Sequence, residues 1–209
     1  TATDTDNTLG GNVTWVRPPN TTAAARTYKA GFGTSTATSG VTTPVTIAAV
    51  GGRYVAPVAP AVVLGIPGPG VNNAKLEFAE DGDTGDADDA TDVGTNDNPD
   101  VILSVGALSK ITLPTGAANP ALTKLTVTPT TGIFSGSFSL DDPNPRTTPP
   151  VTPAAVKRAV TYQGLIVRDG AEYVGYGYFL NAQLPGNGPP ATTPTTTEMR
   201  SGMVDFTKL

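Results

Sequence analysis

The sequence predicts an all-β fold, an antiparallel barrel or sandwich of roughly 11–12 short strands. Three observations carry that expectation. Apolar residues, 38% of the chain, fall in short alternating runs rather than at helical spacing. Threonine is abundant, and a β-branched side chain suits a pleated, half-exposed surface. Gly (24) and Pro (20) punctuate the runs at the short intervals that tight turns require. The Ala-rich pieces, such as residues 23–25, are too short to nucleate a helix.

Taken in order, residues 1–8 are polar and extended. Val13 and Trp15 then alternate with Asn12 and Thr14 in a strand that Pro18 and Pro19 stop. Residues 26–32 place Tyr28, Ala30 and Phe32 on one face, and a Ser/Thr/Gly loop follows. Val45, Ile47 and Ala49 mark another one-faced strand, with a turn expected at Gly51 and Gly52 and a return strand over 53–55. Residues 61–66 read as a strand buried on both faces, ended by the Pro-Gly-Pro-Gly of 67–70. Leu76 and Phe78 point inward from the strand at 75–78. Beyond a long acidic loop, strands resume at 101–105 and 110–113. The clearest hairpin joins 124–128 to 133–140. Phe134, Gly136, Phe138 and Leu140 share one face there, with Ser135, Ser137 and Ser139 on the other. A Pro-rich loop over 141–153 leads to strands at 161–167, 173–184 and 201–206. These last strands follow one another as a meander, which favours closure into a barrel. The expected division is an N-terminal β segment, 1–72, that packs on or completes a main module, 73–209.

Several pieces of that second half carry a resemblance. Residues 73–78 (NAKLEF), 132–138 (GIFSGSF), 142–145 (DPNP), 162–166 (YQGLI), 175–180 (GYGYFL) and 202–206 (GMVDF) occur in this order. Together the set resembles a β-module found at the C-terminal ends of very large secreted bacterial surface proteins. That module's pattern is G-x-F-x-G-x-F, then F/Y-x-G-x-x, then G-x-G-Y-F, then G-x-V. The front section, with Trp15, 26–32 (RTYKAGF) and 52–54 (GRY), is similar to what precedes it there. The resemblance implies a cell-surface or extracellular role and supplies no catalytic residues.

Composition narrows the chemistry. The formal charge of −5, with only 13 Lys and Arg scattered along the chain, argues against nucleic acid as a partner. The absence of Cys removes disulfides, thiolate metal sites and a Cys nucleophile. The absence of His removes the usual general base and the usual zinc ligand. The most apolar stretch, 45–71, is broken by Pro57, Pro60, Pro67 and Pro69 and carries Arg53, so no membrane span is expected. A charged fraction of only 15% fits an extracellular chain whose surface is covered by neighbours. Thr1 in place of Met fits removal of a signal peptide or trimming of the chain.

Candidate sites are few. Asp81, Asp83, Asp86 and Asp88 sit in the acidic loop at a spacing that can offer a calcium ion several oxygens. The loop departs from the EF-hand pattern, because Gly85 comes one place early and no Glu closes it. Calcium is the only cofactor the residues bring forward. Asn12 and Asn20 open Asn-x-Thr triplets, and 189–197 is a Pro/Thr stretch. Glu77, Glu80, Glu172 and Glu198 show no pairing of the kind a carboxylate hydrolase needs, so no enzyme is expected. Tyr173, Tyr176 and Tyr178 offer rings that a surface glycan stacks on. Val13 and Trp15 are the candidate assembly residues, on a segment able to add as a strand to a neighbour's sheet edge. The expectation is therefore a secreted structural subunit of a bacterial surface assembly, a homo-oligomer or polymer joined by strand addition. The alternative is an adhesion or carbohydrate-binding module of a large secreted protein.

Overall fold

The computed structural model describes residues 8–22, 24–27, 35–36, 40–41, 44–80, 99–146, 155–186, 193 and 195–209. Within them the chain is all-β, its only helical turns being isolated 3₁₀ turns. The front section holds β1 (Thr8–Trp15), β2 (Ser35–Thr36), β3 (Gly40–Val41) and β4 (Val45–Gly52). The main sheet holds β5 (Ala74–Glu80), β6 (Val101–Val105), β7 (Ile111–Thr112), β8 (Lys124–Thr128), β9 (Ile133–Pro143), β10 (Ala155–Asp169), β11 (Glu172–Ala182) and β12 (Met199–Lys208).

The eight strands of the main sheet lie in the order β7-β6-β5-β12-β11-β10-β9-β8, every ladder antiparallel. Read around the sheet, each strand neighbours its successor in sequence, and the last, β12, returns to pair with the first, β5. This is an up-and-down meander curled into a nearly closed barrel, its seam between β7 and β8. At the seam the ladder is replaced by a side-chain bond, Thr123 Oγ1 donating to the Pro99 carbonyl, and Asn119, in the connection between β7 and β8, holds Thr123 by donating to its carbonyl and accepting from its N–H.

The barrel interior is aromatic. Phe78, Phe134, Phe179 and Phe206 are fully buried, and Phe78 meets Phe138 and Tyr162 edge-on at centroid distances of 4.7 and 5.0 Å. Such rings fit a narrow barrel only where a neighbouring strand offers no side chain. A Cβ at Gly164 would lie 2.3 Å from Phe134 Cζ, and one at Gly202 would lie 2.1 Å from Phe179 Cζ. Gly136 gives the same room to Tyr162, whose hydroxyl donates to the Lys124 carbonyl. Burial raises the Tyr162 pKa well above the usual phenol value.

One end of the barrel is capped by residues 53–66. Read from sequence as a buried strand, 61–66 is instead a 3₁₀ turn closed by a bridge between Val62 and Ile66. Leu64, at φ 65°, is completely buried within it. The run is apolar because it plugs the barrel mouth, not because a strand lies between two sheets. The expected turn at Gly51 and Gly52 is also corrected: both residues continue β4, whose partner is β1 and not 53–55. Residues 53–55 form no strand; Tyr54 there donates to the Pro129 carbonyl at 2.6 Å and stacks edge-on with Tyr173. Asn73 pins the approach to β5 by bonding both the N–H and the C=O of Val105. The face expected at Tyr28, Ala30 and Phe32 lies outside the described residues.

Toward the other end β9 and β10 run further into the Pro-rich region than 140 and 161, the limits expected from sequence. Their extensions carry a buried ion pair. Arg158 Nε and Nη2 reach Asp142 Oδ2 at 2.9 and 2.8 Å, and Nη1 donates to the Ala182 carbonyl at 2.7 Å. Arg158 and Asp142 are 7% and 1% exposed, so each depends on the other for its desolvated charge. Asp142 Oδ1 has no hydrogen-bond partner among the described residues, so part of the pair's desolvation cost goes uncompensated.

Two predictions follow from this interior. Gly164→Ala lowers stability by about 1–3 kcal/mol through overpacking, whereas Gly11→Ala, with nothing within 4 Å of its Cβ, costs nothing measurable by urea unfolding. Arg158→Met alone costs about 3–5 kcal/mol. Adding Asp142→Leu restores most of that loss, which a double-mutant cycle measures.

Candidate functional site

Among the described strands, two surfaces depart from what a self-contained barrel presents. The first is the ribbon formed by β1 and β4. Their register pairs Val13 with Ile47 and Trp15 with Val45, so Leu9, Val13, Trp15 and Ile47 share one face. That face is turned to solvent: Leu9 is 74% exposed, Val13 52%, Ile47 40% and Trp15 40%. The opposite face, with Asn12, Thr14 and Thr46, is exposed as well. Neither strand carries a charged residue. The ribbon joins the barrel at its base, where Gly52 packs so closely on Arg168 that a Cβ would lie 2.3 Å from that carbonyl oxygen. It is thus an uncharged, amphipathic arm with both faces in solvent.

The structure brings the two sequence-selected assembly residues, Val13 and Trp15, onto this arm and pairs them within the chain. The segment before Trp15 already has one strand partner in β4. What it leaves unpaired among the described residues is its other edge.

The second surface is the outer face of β9 to β12. Outward positions of an antiparallel barrel facing water are ordinarily polar, as Ser135, Ser137 and Thr161 are here. Ile133, Leu165 and Tyr176 nevertheless stand side by side across three strands, and Tyr178 and Met203 form the next row. All five are exposed. The two rings are held in place: Tyr176 Oη donates to Asp169 Oδ2 at 2.7 Å, and Gln163 Nε2 donates to Tyr178 Oη at 2.7 Å. The bond to Asp169, helped by burial and by nearby carboxylates, pushes the Tyr176 pKa up to about 12. Beside Tyr176 lies Asp205, in register with Glu77 of β5. Burial and the Glu77 carboxylate raise the Asp205 pKa, with Lys75 opposing. Lys75 itself is paired to Glu77 at 2.5 Å. The stripe is therefore apolar with an acidic rim. Next to it a shallow groove of about 850 Å³ is lined by Thr126, Ser135, Ser137, Thr161, Gln163 and Tyr178.

The remaining candidates separate. Asp81, Asp83, Asp86 and Asp88 lie outside the described residues. Among the described residues no group of three or more metal-ligating side chains is assembled, and no helix is long and apolar enough to cross a membrane. Glu77 and Glu172 are engaged by Lys75 and Lys208 in surface ion pairs. Tyr173 faces the cap and Tyr54 rather than the outer surface. Of the Pro/Thr stretch, Thr193 and Thr196 close a hydrogen-bonded turn. The acidic-rimmed stripe was not assembled from sequence, though its signal was present in Leu165 and Met203 at outward strand parity. Comparison with family models, curated proteins and solved structures finds no match to this chain.

Asp205 gives a pH test of the rim. The folded chain holds the Asp205 proton to higher pH than the unfolded chain, so ionising it costs folding free energy. The contribution is full below the ordinary carboxylate value and is lost as pH rises through the raised folded value. Asp205→Asn is therefore the more stable form near neutral pH. Solvent screening holds the gain to about 1–2 °C in Tm, and it vanishes in scans well below the ordinary carboxylate value.

Proposed function

We propose that this chain is a non-catalytic structural subunit of an extracellular, bacterial surface assembly, and that its copies associate through the β1–β4 arm. One observation carries the reading. An isolated two-stranded ribbon is marginally stable at best in water, yet this one projects with Leu9, Val13 and Ile47 in solvent. A second surface that covers the apolar face supplies the missing burial, at roughly 25 cal/mol per Å² of apolar area removed from water. The reading is supported further by the low charged fraction and by the absence of His and Cys from the chain. Strand addition at the edge of β1 that has no strand partner among the described residues is compatible with it, as the arm then contributes backbone bonds in addition to its apolar face.

The groove beside Tyr178 favours a second reading, an adhesion or carbohydrate-binding module. Hydroxyls and an amide line that groove together with Ala159, Leu180 and Met199, next to an exposed ring oriented by Gln163, an arrangement suited to stacking and hydrogen bonding with a sugar. The two readings separate on the behaviour of the protein alone. The intact chain at tens of micromolar is expected to form ordered oligomers or filaments by light scattering and electron microscopy. Val13→Glu is expected to abolish them while leaving the melting temperature of the barrel unchanged. A parent protein that stays monomeric while binding a glycan array overturns the assembly reading in favour of the second.

A further inference from the structure

We propose that the outer groove beside Tyr178 binds a linear acidic oligosaccharide, with one ring stacked on Tyr178 and an anionic group of the chain held by Lys124. The site rests on the carbohydrate reading above, to which it adds the class of glycan, and it holds whether or not copies of the chain associate.

The strand registers lay the groove out row by row. Lys124 of β8, Ser137 of β9 and Thr161 of β10 stand side by side, and the next row runs Thr126, Ser135, Gln163 and Tyr178 from β8 to β11. Short hydroxyl side chains thus form the floor, with Tyr178 and Leu180 along one side and Lys124 at the other. From β8 to β11 is three strand spacings, about 14 Å along the sheet. A ligand that touches both Tyr178 and Lys124 is therefore a chain of several rings and not a single sugar. Leu180 and Met199 also line a smaller hollow of about 270 Å³, so the groove continues toward β12. Arg200 offers a second cation there, with Glu198 lining the same hollow.

The lining selects among ligands. The backbone of β9 and β10 under the floor is committed to ladders on both sides, so an extended peptide finds no edge to pair with. Each floor hydroxyl both donates and accepts, and an apolar ligand would leave these groups desolvated without partners. A sugar meets both demands, offering hydroxyls to the floor and an apolar ring face to Tyr178, Leu180 and Met199. Tyr178 is 52% exposed, and Gln163 Nε2 donates to its Oη, which holds the ring and leaves the Oη proton for a ligand.

Charge picks out the acidic class. Of the four lysines in the barrel strands, Lys75, Lys157 and Lys208 pair with Glu77, Asp141 and Glu172 in turn. Lys124 has no carboxylate partner among the described residues, and it is the one charged side chain that lines the main groove. The chain as a whole, at a formal charge of −5, repels polyanions. An acidic glycan is retained only where a cation is presented locally, as Lys124 is.

The test is an array of uronate-bearing, sulfated and neutral oligosaccharides of equal length, probed with the intact chain. Retention on acidic chains and weaker retention on neutral ones is expected, and the acidic chains that bind tell a carboxylate from a sulfate as the anion. Calorimetry with the best-retained acidic chain then compares variants. Lys124→Gln is expected to lower affinity about three- to fivefold, the range of one exposed ion pair. It also flattens the salt dependence and leaves neutral chains unaffected. Tyr178→Ala is expected to lower affinity for acidic and neutral chains alike, by up to about tenfold. Lys157→Gln, outside the groove, binds like the parent, and equal melting temperatures in all three variants separate lost contacts from lost fold. Neutral chains bound as tightly as acidic ones, or a Lys124→Gln protein that binds like the parent, overturn the acidic assignment and leave the carbohydrate reading standing. Acidic chains bound undiminished by Tyr178→Ala overturn the groove as their site. An array that retains nothing overturns the carbohydrate reading, and this site with it.

Discussion

The rest of the structure depends on a single spatial constraint, that aromatic rings fill a narrow barrel only where glycines face them. Phe134 is the clearest case. Its ring lies over Gly164, Gly175 and Gly177, where Cβ atoms would sit 2.3, 2.9 and 3.1 Å from its edge. Phe179 stands in the same relation to Gly202, and Tyr162 to Gly136. The glycines at inward positions of β9, β10, β11 and β12 are therefore a packing pattern. Each glycine forgoes its own packing and gives up backbone entropy, and the ring opposite returns a larger apolar burial. The arrangement needs the strands in one register, since a slip of one residue would turn rings outward and set side chains against rings.

The constraint leaves the two ends of the barrel to be closed by other means. At one end the apolar turn around Leu64 plugs the mouth, and Tyr54 and Tyr173 seal it against the Pro129–Gly132 turn. Toward the other end the longer strands carry the Arg158–Asp142 pair, and residues 26 and 199 are joined by a backbone bond of 2.7 Å. The front section is thus fastened at Arg26 and again at Gly52. The β1–β4 arm belongs to the section between and before these two points. Neither fastening buries it, so the barrel reaches its full core without drawing on the arm's apolar residues.

Much of the barrel was legible because its strands alternate strictly. Phe134, Gly136, Phe138 and Leu140 announced their common face, and the hairpin at 129–132 follows from its turn residues. What stayed hidden has physical reasons. Asp142 and Arg158 continue the inward parity of their strands, but a charged residue beside prolines reads as loop unless its partner is known. The cap at 61–66 is as apolar as a buried strand, and a short run carries no periodicity to separate the two. Gly51 and Gly52 read as a turn because the strand they extend pairs far away in sequence, with β1. The stripe was harder still. Its members lie on four strands, and each taken alone is an unremarkable exposed apolar residue; only the registers of β9 to β12 put them side by side.

The division between a self-sufficient barrel and a protruding arm also divides the stability of the chain. The barrel's strands share one core, so they open together, at a free energy near that of global unfolding. The arm shares none of that core. Its ladder is held by backbone bonds open to water on both faces, the kind of element that frays far below the global transition. An element of this sort is ordered most cheaply by a surface that covers it, and coupling its order to contact makes association concentration-dependent. The same sequence features that exempt the arm from the core, uncharged strands with paired glycines and one apolar face, are those the proposed association would use. A chain whose core needed the arm could not present it to a neighbour. The nearly closed, glycine-packed barrel leaves the arm outside its core.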